Sequence, residues 1–439
     1  MRRISGLQER IRRRLTPAGQ VLLATTFAAG LFGVDTRQTL AFQAFALGCA
    51  LLLVSWSLSL RRPPALKISR QLPRHATAGE PLRLRLELEN QGARPAVGLR
   101  LAELLPDPRP GLKTFLHSRA PGEHRLNPVD RLFAYPRWRW LVECGTRIRA
   151  QPPLRLPDLA PGERHQVPLD WTPLRRGVLA LHGLRISRTD PLGLCHAYRE
   201  LELRQPLLVL PKRYPLPPQR PPGRRRLQPG GIALAGSVGD SRELIGLRDY
   251  RPGDSPRHIH WAAWARSGAP VVKEYQDEYF SRQALILDNF AGPGRESDLE
   301  AAVSVAASFV GPLQGPDALL DLMFVANRAY TLTGGRGLMS GQALLEVLAC
   351  VPAAPEDGFE TLSRAVLGHA ALLSACVCVL LDWDEPRQAL VRGLRALGLP
   401  VRVLLVGGPQ RPDPGPMADR PGNLARLDPE RLEQGLAGL

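Results

Sequence analysis

Two apolar segments separated by a short polar loop begin the hydrophobic pattern of the chain. Residues 17–34 and 39–60 contain no charged side chain, and only residues 35–38 lie between them. Crossing a hydrocarbon core takes about 20 apolar residues. The second segment meets that length, whereas the first is shorter and carries Gln20. The pattern predicts a transmembrane helical hairpin over residues 17–60.

Arginine flanks both outer ends of this hairpin. The arginines concerned are Arg2, Arg3, Arg10, Arg12, Arg13 and Arg14 before it, and Arg61 and Arg62 after it. Because basic residues favour the cytoplasmic side of a membrane, we expect residues 1–16 to form a basic cytoplasmic N-terminus and the main body to be cytoplasmic. A signal peptide followed by one anchor is the alternative. The long, Arg-rich lead-in and the lack of a convincing cleavage site before the second segment disfavour it.

An alternating pattern of apolar and polar positions follows the hairpin. Residues 82–88, LRLRLEL, alternate strictly, as a half-buried strand does, and residues 177–187 repeat the pattern more loosely. Turn-forming stretches punctuate the strands. The pattern predicts a β-sandwich over residues 64–212, in which the Pro-, Arg- and aromatic-rich residues 105–150 form a long insertion or irregular loop.

Proline and arginine dominate the next segment. Residues 214–227 read YPLPPQRPPGRRRL, a composition that favours an extended, solvated chain. We interpret residues 213–240 as a linker whose arginines can contact anionic membrane lipid. Aromatic residues are not interleaved with these arginines, so nucleic-acid binding is not expected.

After residue 280 the pattern changes to alternating short apolar strands and amphipathic helices. The strands are predicted over residues 284–288, 319–325, 328–334, 375–381 and 401–406. Helices are predicted from Ser297, from Ser340, over residues 359–372 and over residues 385–397. This alternation is typical of a doubly wound α/β domain with its sheet covered on both faces.

Net charge and cysteine content limit which environments and which kinds of site are expected for the protein. The 58 Lys+Arg residues exceed the 41 Asp+Glu residues by 17, which favours anionic surroundings such as inner-leaflet lipid. Because nearly all of this charge is arginine in a Pro-, Leu-, Gly- and Ala-rich chain, coding bias is an equal explanation. The six cysteines contain no C-x-x-C pair, so neither a disulfide framework nor a zinc cluster is expected.

The most distinctive polar pattern is residues 247–275, LRDYRPGDSPRHIHWAAWARSGAPVVKEY, which we call the signature segment. Pro252-Gly253 predicts a turn, Asp254 a helix N-cap, and Gly268 with Pro270 the end of that helix after Arg266. Spacing would also allow Asp254 to pair with Arg257. The strand VVKEY then follows. Trp261 and Trp264 share one helical face, either as core residues or as anchors of a partner surface.

This segment resembles the core signature of the bacterial domain-of-unknown-function 58 family. The resemblance rests on YRPGDSPRHIHWAAWAR and VVKEY, and it extends to Arg175-Arg176-Gly177, to Asp190-Pro191-Leu192-Gly193-Leu194 and to the hairpin. It implies an inner-membrane, multi-pass protein associated with a MoxR-type AAA+ ATPase, with residues 241–439 holding the signature segment and a von Willebrand factor A-like domain. Ala262 and Trp264 depart from the residues usual at their positions in that family.

The resemblance also raises the question of a divalent cation, which von Willebrand factor A domains can hold through D-x-S-x-S. Here the run is Asp288-Asn289-Phe290-Ala291-Gly292. Phe290 and Gly292 replace both serines, so two hard oxygen ligands are missing. Asp382, Asp384 and Thr361 are candidates to supply the missing oxygen ligands. We expect a domain that binds protein without a metal or other cofactor.

Enzyme motifs are largely absent. The sequence has no G-x-x-x-x-G-K-[ST], H-E-x-x-H or G-x-S-x-G pattern, and Cys350 and Cys376 lie in apolar patterns that predict buried, inert thiols. We therefore expect a non-enzymatic, membrane-anchored interaction or scaffold protein that assists assembly or maturation of protein complexes or the cell envelope.

Its candidate binding residues lie in the signature segment. They are Asp254, Arg257, Trp261 and Arg266, of which Asp254 and Trp261 are interpreted as mainly structural and the two arginines as binding groups. Two alternatives remain. One is an extracytoplasmic adhesion or envelope protein of opposite topology, and the other is a metal-dependent hydrolase using a cluster of Asp288, Asp382 and Asp384.

Overall fold

The chain divides into two compact units, which are described separately. The computed structural model describes residues 11–439 apart from 12, 33–38, 62, 119, 121–122, 124–126, 128–133, 218–227, 230–242, 277–278, 293, 314–317, 336, 356–357 and 409–411. The units are Met1–Leu210 and Pro211–Leu439. Four of the five arginines of the predicted 213–240 linker, at positions 220 and 224–226, lie outside the described residues. So do the loop 35–38 and the arginines at positions 2, 3, 10, 12 and 62.

Two apolar helices begin the first unit. Helix α1 spans Pro17–Phe32 and helix α2 spans Thr39–Ser59. They pack closely because Gly48 of α2 faces Thr26 of α1. A Cβ at Gly48 would lie 2.1 Å from Thr26 Oγ1.

Helix α2 has the length and composition of a membrane span. Among the described helices, Leu40–Ser59 passes that test, and 11% of its apolar window is buried. Helix α1 has 16 residues, which at 1.5 Å per residue extend about 24 Å and fall short of a core of about 30 Å. Both helices expose large apolar side chains, including Phe27 and Leu31 on α1 and Phe42 and Leu53 on α2.

Two sheets follow the helices. The strands are β1 Leu66–Gln71, β2 His75–Thr77, β3 Leu82–Asn90, β4 Leu99–Leu104, β5 Ile148–Ala150, β6 Leu154–Arg155, β7 Arg164–Pro173, β8 Gly177–Thr189 and β9 His196–Leu210. One sheet has the order β1-β3-β7-β5, and the other has the order β2-β9-β8-β4-β6. The strictly alternating residues predicted as a strand lie in β3, where Leu84, Leu86 and Leu88 are buried.

Leucines from both sheets form one hydrophobic cluster. Leu86 of β3, Leu101 of β4 and Leu181 of β8 are among its members. A buried ion pair lies beside them: Arg70 Nη1 is 2.6 Å from Glu103 Oε1, and Arg70 also donates to Gln205 and to the Leu203 carbonyl. Burial raises the pKa of Glu103, and the nearby Arg70 offsets only part of that effect.

Residues 105–150 contain helices, contrary to the prediction of an irregular loop. Helix α3 spans Leu112–His117 and helix α4 spans Tyr135–Gly145. Phe115 packs edge-on against Trp138, and Arg137 pairs with Glu123 and stacks over Phe115. Mixed aromatic and arginine content hid the helical period, because arginine stems contribute to packing while their charged heads are counted as polar.

The second unit is built on a mainly parallel sheet. The strands of this unit are β10 Gln228–Pro229, β11 Glu243–Asp249, β12 Val271–Gln276, β13 Tyr279–Leu287, β14 Ala318–Val325, β15 Ala329–Gly334, β16 Ala375–Leu380, β17 Val401–Val406 and β18 Leu424–Leu427. The main sheet has the order β15-β14-β13-β16-β17-β18, with β10 paired to β13. Strand β15 is antiparallel to β14, and the pairings from β14 through β18 are parallel.

Helices cover both faces of this sheet. They are α6 Glu296–Leu313, α7 Gly341–Cys350, α8 Phe359–His369, α9 Glu385–Ala396 and α10 Leu432–Ala437. Helix α5, Trp261–Ser267, precedes them in the signature segment and contacts β12, which pairs with β11 in a separate two-stranded sheet. Helices α8 and α9 pack with Ile286, Cys378 and Val403 in one cluster. Helix α6 contacts the strands β13, β14, β16 and β17. Every residue of β16 is buried, as expected for a strand covered on both sides.

Candidate functional site

The signature segment folds as a hairpin that carries a short helix. Strands β11 and β12 pair antiparallel, with Leu247 opposite Lys273 and Asp249 opposite Val271. The connection between them folds back onto β12, because His260 N donates to the Val271 carbonyl at 2.8 Å. Val272 is the buried residue that anchors this connection. The predicted strand VVKEY is confirmed as part of β12.

Asp254 does not cap the helix, contrary to prediction. Its two carboxylate oxygens accept hydrogen bonds from Arg248 at 2.7 and 2.8 Å, and one of them also accepts the Arg251 N–H at 2.8 Å. These bonds to Arg248 and Arg251 lower the pKa of Asp254 to about 2. The carboxylate therefore closes the turn at residues 251–254 and ties it to β11, and its ion-pair partner is Arg248 instead of Arg257.

Helix α5 takes its cap from His260. The Nδ1 atom of His260 accepts the Ala263 N–H at 2.9 Å. At the other end Gly268 has φ 74°, a left-handed conformation that suits glycine, and its N–H donates to the Trp264 carbonyl. The helix ends at Ser267, one residue later than predicted. Sequence reasoning missed His260 because Asp254 is the stronger N-cap residue by type.

The two tryptophans lie on one face of α5, as the spacing predicted. Their ring centroids are 5.3 Å apart with an interplanar angle of 20°. Trp261 is 65% exposed, so it does not serve as a core residue. A large, rigid aromatic side chain held in the open by a neighbouring ring has the properties of an interface anchor.

Two exposed arginines flank the tryptophans. The side chains of Arg257, in a 3₁₀ turn at Pro256–His258, and of Arg266, in the last turn of α5, are exposed. Within the described part of the chain neither has a hydrogen bond or an ion pair. Their guanidinium groups can therefore donate to carboxylates or carbonyls of another molecule.

A second constellation lies at the carboxyl end of β13. Asp288 is fully buried and accepts hydrogen bonds from Phe290 N at 3.1 Å and Leu381 N at 3.0 Å. Both oxygens of Asp288 also accept hydrogen bonds from Arg387 of α9, with Nε 2.5 Å from Oδ2 and Nη2 3.3 Å from Oδ1. Burial opposes the charge of Arg387, but Asp288 and then Asp384 outweigh it, so the pKa of Arg387 is raised.

The three residues predicted to supply further oxygen ligands to a cation have other roles in the structure. Asp384 caps α9 by accepting the Arg387 N–H, and its other oxygen lies 2.6 Å from Arg387 Nη1. Asp382 lies 3.3 Å from Arg295 Nη1. Thr361 is an exposed residue of α8 and not a loop residue.

These contacts do not fit a divalent cation. Asp288 already has a positively charged partner, Phe290 is a buried core residue packed edge-on against Phe359, and Asn289 donates to the Val325 and Pro352 carbonyls. The oxygen ligands that a cation needs are therefore engaged with the protein itself. In the described residues no group of three His, Cys, Asp or Glu side chains is arranged to hold a metal ion.

The sequence carried a signal for Arg387 that the prediction did not use. An N-cap aspartate followed three residues later by arginine places both groups on the first turn of a helix. In an α/β domain that turn lies at the carboxyl edge of the sheet, where Asp288 ends its strand. Arg248 had no comparable signal, because its pairing with Asp254 depends on the turn between them.

Another buried carboxylate lies away from that edge. Asp321 of β14 accepts hydrogen bonds from Thr333 Oγ1 at 2.6 Å, Arg282 Nε at 2.7 Å and His369 Nε2 at 2.9 Å. Burial alone would raise its pKa, but the hydrogen bonds from His369, Thr333 and Arg282 prevail and lower it. This cluster joins β13, β14, β15 and α8, which gives it a structural role.

The cysteines differ in exposure. Cys376 and Cys378 are buried in β16, and burial raises the pKa of Cys376 to about 12. Cys350 is exposed at the end of α7, so the prediction of a buried thiol was wrong there. Cys350 follows the buried Leu348 by two residues, which places it on a different side of the helix.

Comparisons with known proteins add little to this geometry. No family model matches the chain, and no curated protein matches it. Among solved structures, the ASH / PapD-like domain of human CEP192 (PapD-like domain 7) aligns with 17% identity over 34% of this chain and 87% of that chain, at a TM-score of 0.19. A TM-score of that size supports no statement about the fold or function of this protein.

Proposed function

We propose that the protein is a membrane-anchored, cytosol-facing interaction or scaffold protein of the domain-of-unknown-function 58 type. In this proposal it cooperates with a MoxR-type AAA+ ATPase in the assembly or maturation of protein complexes or the cell envelope, and the ATP chemistry belongs to the partner. Its C-terminal unit acts as a von Willebrand factor A-like binding domain. The observation that supports it best is the exposed Trp261 between two exposed arginines, Arg257 and Arg266, that have no ion pair among the described residues.

The signature segment has the composition of a binding surface. Interface hot spots are enriched in Trp and Arg, and they are most effective when they are held rigid before binding. Trp261 is stacked on Trp264, and the turn below them is fixed by the Arg248–Asp254 pair. Acidic or carbonyl-rich partner surfaces would match Arg257 and Arg266.

The carboxyl edge of the sheet supports binding over hydrolysis. A carboxylate-cluster hydrolase needs free carboxylates to hold its metal. Here Arg387 neutralises Asp288 and Asp384, and Arg295 pairs with Asp382. Partner binding in this proposal does not depend on a divalent cation.

The membrane anchor is the hairpin of α1 and α2. Its support is the apolar length of α2, the exposed apolar side chains of both helices, and the arginines on the outer flanks. In this proposal both helices cross the inner membrane, and the extracytoplasmic alternative is disfavoured by the same arginines.

Binding of the purified full-length chain in detergent to a purified MoxR-type ATPase tests the proposal. We expect Trp261→Ala to weaken binding by at least about 30-fold, the effect of losing a hot spot of about 2 kcal/mol. Arg257→Ala and Arg266→Ala should each weaken it about tenfold. All three should keep the thermal midpoint of the parent, because the removed atoms are exposed.

Arg426→Ala serves as the matched control. Arg426 is an exposed arginine of β18 with no hydrogen bond or ion pair among the described residues, and its removal should leave binding unchanged. Unaltered affinity in the Trp261, Arg257 and Arg266 variants would remove the signature segment from the interface. Loss of affinity only in parallel with a lowered midpoint would assign these residues a structural role.

A further inference from the structure

Arginines cluster on the outer face of the five-stranded sheet in the first unit. Leu99 and Leu101 of β4 are buried in the core, so Arg100 between them points to the opposite face and is exposed. Arg100 lies directly opposite the exposed Arg155 of β6. Like charges directly opposite each other destabilise a sheet, and within the described chain neither arginine has a hydrogen-bonded or ion-paired carboxylate.

The row continues across the next two strands. Arg100 is also opposite Ser187 of β8, and Ser187 is opposite Tyr198 of β9. Two guanidinium groups lie over the ring of Tyr198. The Cζ atom of Arg14 is 4.6 Å from the ring centroid, and that of Arg185 is 5.5 Å from it. We call Arg14, Arg100, Arg155 and Arg185 the basic row.

Two carboxylates near the basic row are already engaged by other groups. Glu200 pairs with Arg185 at 2.7 Å. A second carboxylate, Asp190, is buried and already accepts hydrogen bonds from Leu194 N, Cys195 N and Ser55 Oγ. Burial and then Arg100 lower the pKa of His196, which adds no charge at neutral pH.

The basic row lies beside the ends of the hairpin. Arg14 precedes helix α1 by three residues and also lies over Trp56, in the last turn of α2, at 5.4 Å. Thr16 Oγ1 donates to the Gly193 carbonyl at 2.6 Å, and Ser55 Oγ donates to Asp190. The turn between β8 and β9 is therefore packed on the helix ends, where lipid headgroups begin if the hairpin crosses a membrane.

We propose that the basic row binds the phosphate groups of anionic phospholipids. The inference rests on the membrane anchoring in the proposed function, and it adds a specific lipid contact on the sandwich. Charge complementarity supports it, since an anionic headgroup would relieve the repulsion between Arg100 and Arg155. Position supports it as well, because Trp56 and Tyr198 have the amphipathic rings typical of the headgroup level.

Native mass spectrometry of the full-length chain in detergent tests this inference, with phosphatidylglycerol or phosphatidylcholine titrated in. We expect the parent to retain phosphatidylglycerol in preference to phosphatidylcholine. The double variant Arg100→Gln/Arg155→Gln should weaken phosphatidylglycerol binding about 30-fold, since each basic residue near an anionic membrane contributes about fivefold. Its thermal midpoint without lipid should equal or exceed that of the parent, because the like-charge pair is gone.

Arg83→Gln/Arg149→Gln is the control, with the same charge change on exposed residues of the other sheet. An equal loss of phosphatidylglycerol in both double variants, or a loss in neither, would overturn the inference. The inference would also be overturned if an acidic peptide bound to the basic row while the chain showed no preference among lipids.

Alkaline extraction of membranes tests the membrane anchor separately. A chain that is extracted contradicts the proposed membrane anchoring. A chain that stays in the membrane but shows no lipid preference contradicts only lipid binding by the basic row.

Discussion

The guanidinium of Arg387 takes the place beside Asp288 where the resemblance would put a cation. Both groups are buried, with the Arg387 side chain 9% exposed and that of Asp288 fully buried. A buried pair contributes little net stability over an apolar replacement, but removing one partner leaves an uncompensated charge. The positive charge at this edge therefore comes from the chain itself.

Arg387→Met should destabilise the second unit by about 3–5 kcal/mol, because Asp288 would remain buried without its partner. Hydrogen exchange of peptides covering β13 and β16 measures this as faster exchange. Arg392→Met is the control on the same helix, since the Arg392–Glu385 pair is exposed and its loss should change stability by less than about 1 kcal/mol.

Millimolar Mg²⁺ should leave exchange in the parent unchanged. A saturable, Mg²⁺-dependent gain in protection of the parent, abolished by Asp288→Asn, would contradict the assignment of Arg387 as the resident positive charge. Unchanged exchange in Arg387→Met would contradict the role given to the ion pair.

At the scale of elements, the turn between β8 and β9 packs the sheets of the first unit against the helices α1 and α2. Asp190 organises this turn by accepting the N–H groups of Leu192, Leu194 and Cys195. It also accepts the hydroxyl of Ser55 at 2.7 Å. The close approach needs Gly19, where a Cβ would lie 2.1 Å from the Leu194 carbonyl oxygen.

We expect Asp190→Ala to loosen the turn and its contact with the helices. The substitution leaves backbone donors unsatisfied, at a cost of about 1–3 kcal/mol, whereas Ser55→Ala should cost about 1 kcal/mol because it removes one hydrogen bond. Limited proteolysis of the full-length chain in detergent, read at residues 190–195, measures the effect. Equal cleavage of Asp190→Ala and the parent would show that the turn is held by other contacts.

Residues 105–150 contain a helix, α4, that the sequence pattern did not predict. Helix α4 was missed because its residues, YPRWRWLVECG, combine arginine and tryptophan without a clear apolar stripe. Its packing partners, including Phe115 and Glu123, come from a different part of the insertion. Local pattern could not reveal a helix whose apolar contacts are formed through arginine stems and aromatic edges.

At the scale of the whole molecule, the proposed topology determines which compartment each unit can reach. In the proposed topology both outer ends of the hairpin face the cytoplasm, as the positive-inside rule favours for their arginines. Alkaline phosphatase fused after Leu439 should therefore be inactive, and a fluorescent protein fused there should be bright.

A phosphatase fusion after Gln38, between the two apolar segments, gives the complementary measurement. It should be active if both segments cross the membrane. Activity at Leu439 would support the extracytoplasmic alternative. Inactivity at both Gln38 and Leu439 would mean that neither segment crosses the membrane and would contradict the proposed hairpin.

The sequence by itself determined the features that depend on short-range pattern. Apolar length identified α2, strict alternation identified β3, and the strand and helix periods after residue 280 identified the main elements of the second sheet. Such features are local, because the period of the backbone dictates which side chains share a face. The short spacing of Trp261 and Trp264 likewise predicted a shared face.

The tertiary structure decided which residue partners which. Arg387 reaches Asp288 across 99 positions of sequence, Arg248 replaces Arg257 as the partner of Asp254, and Arg100 meets Arg155 only because β4 and β6 pair. Charge interactions depend on distance in space and on burial, and neither can be read from residue type alone. The internal ion pair at this edge therefore depends on the position of the first turn of α9 beside Asp288, which follows β13.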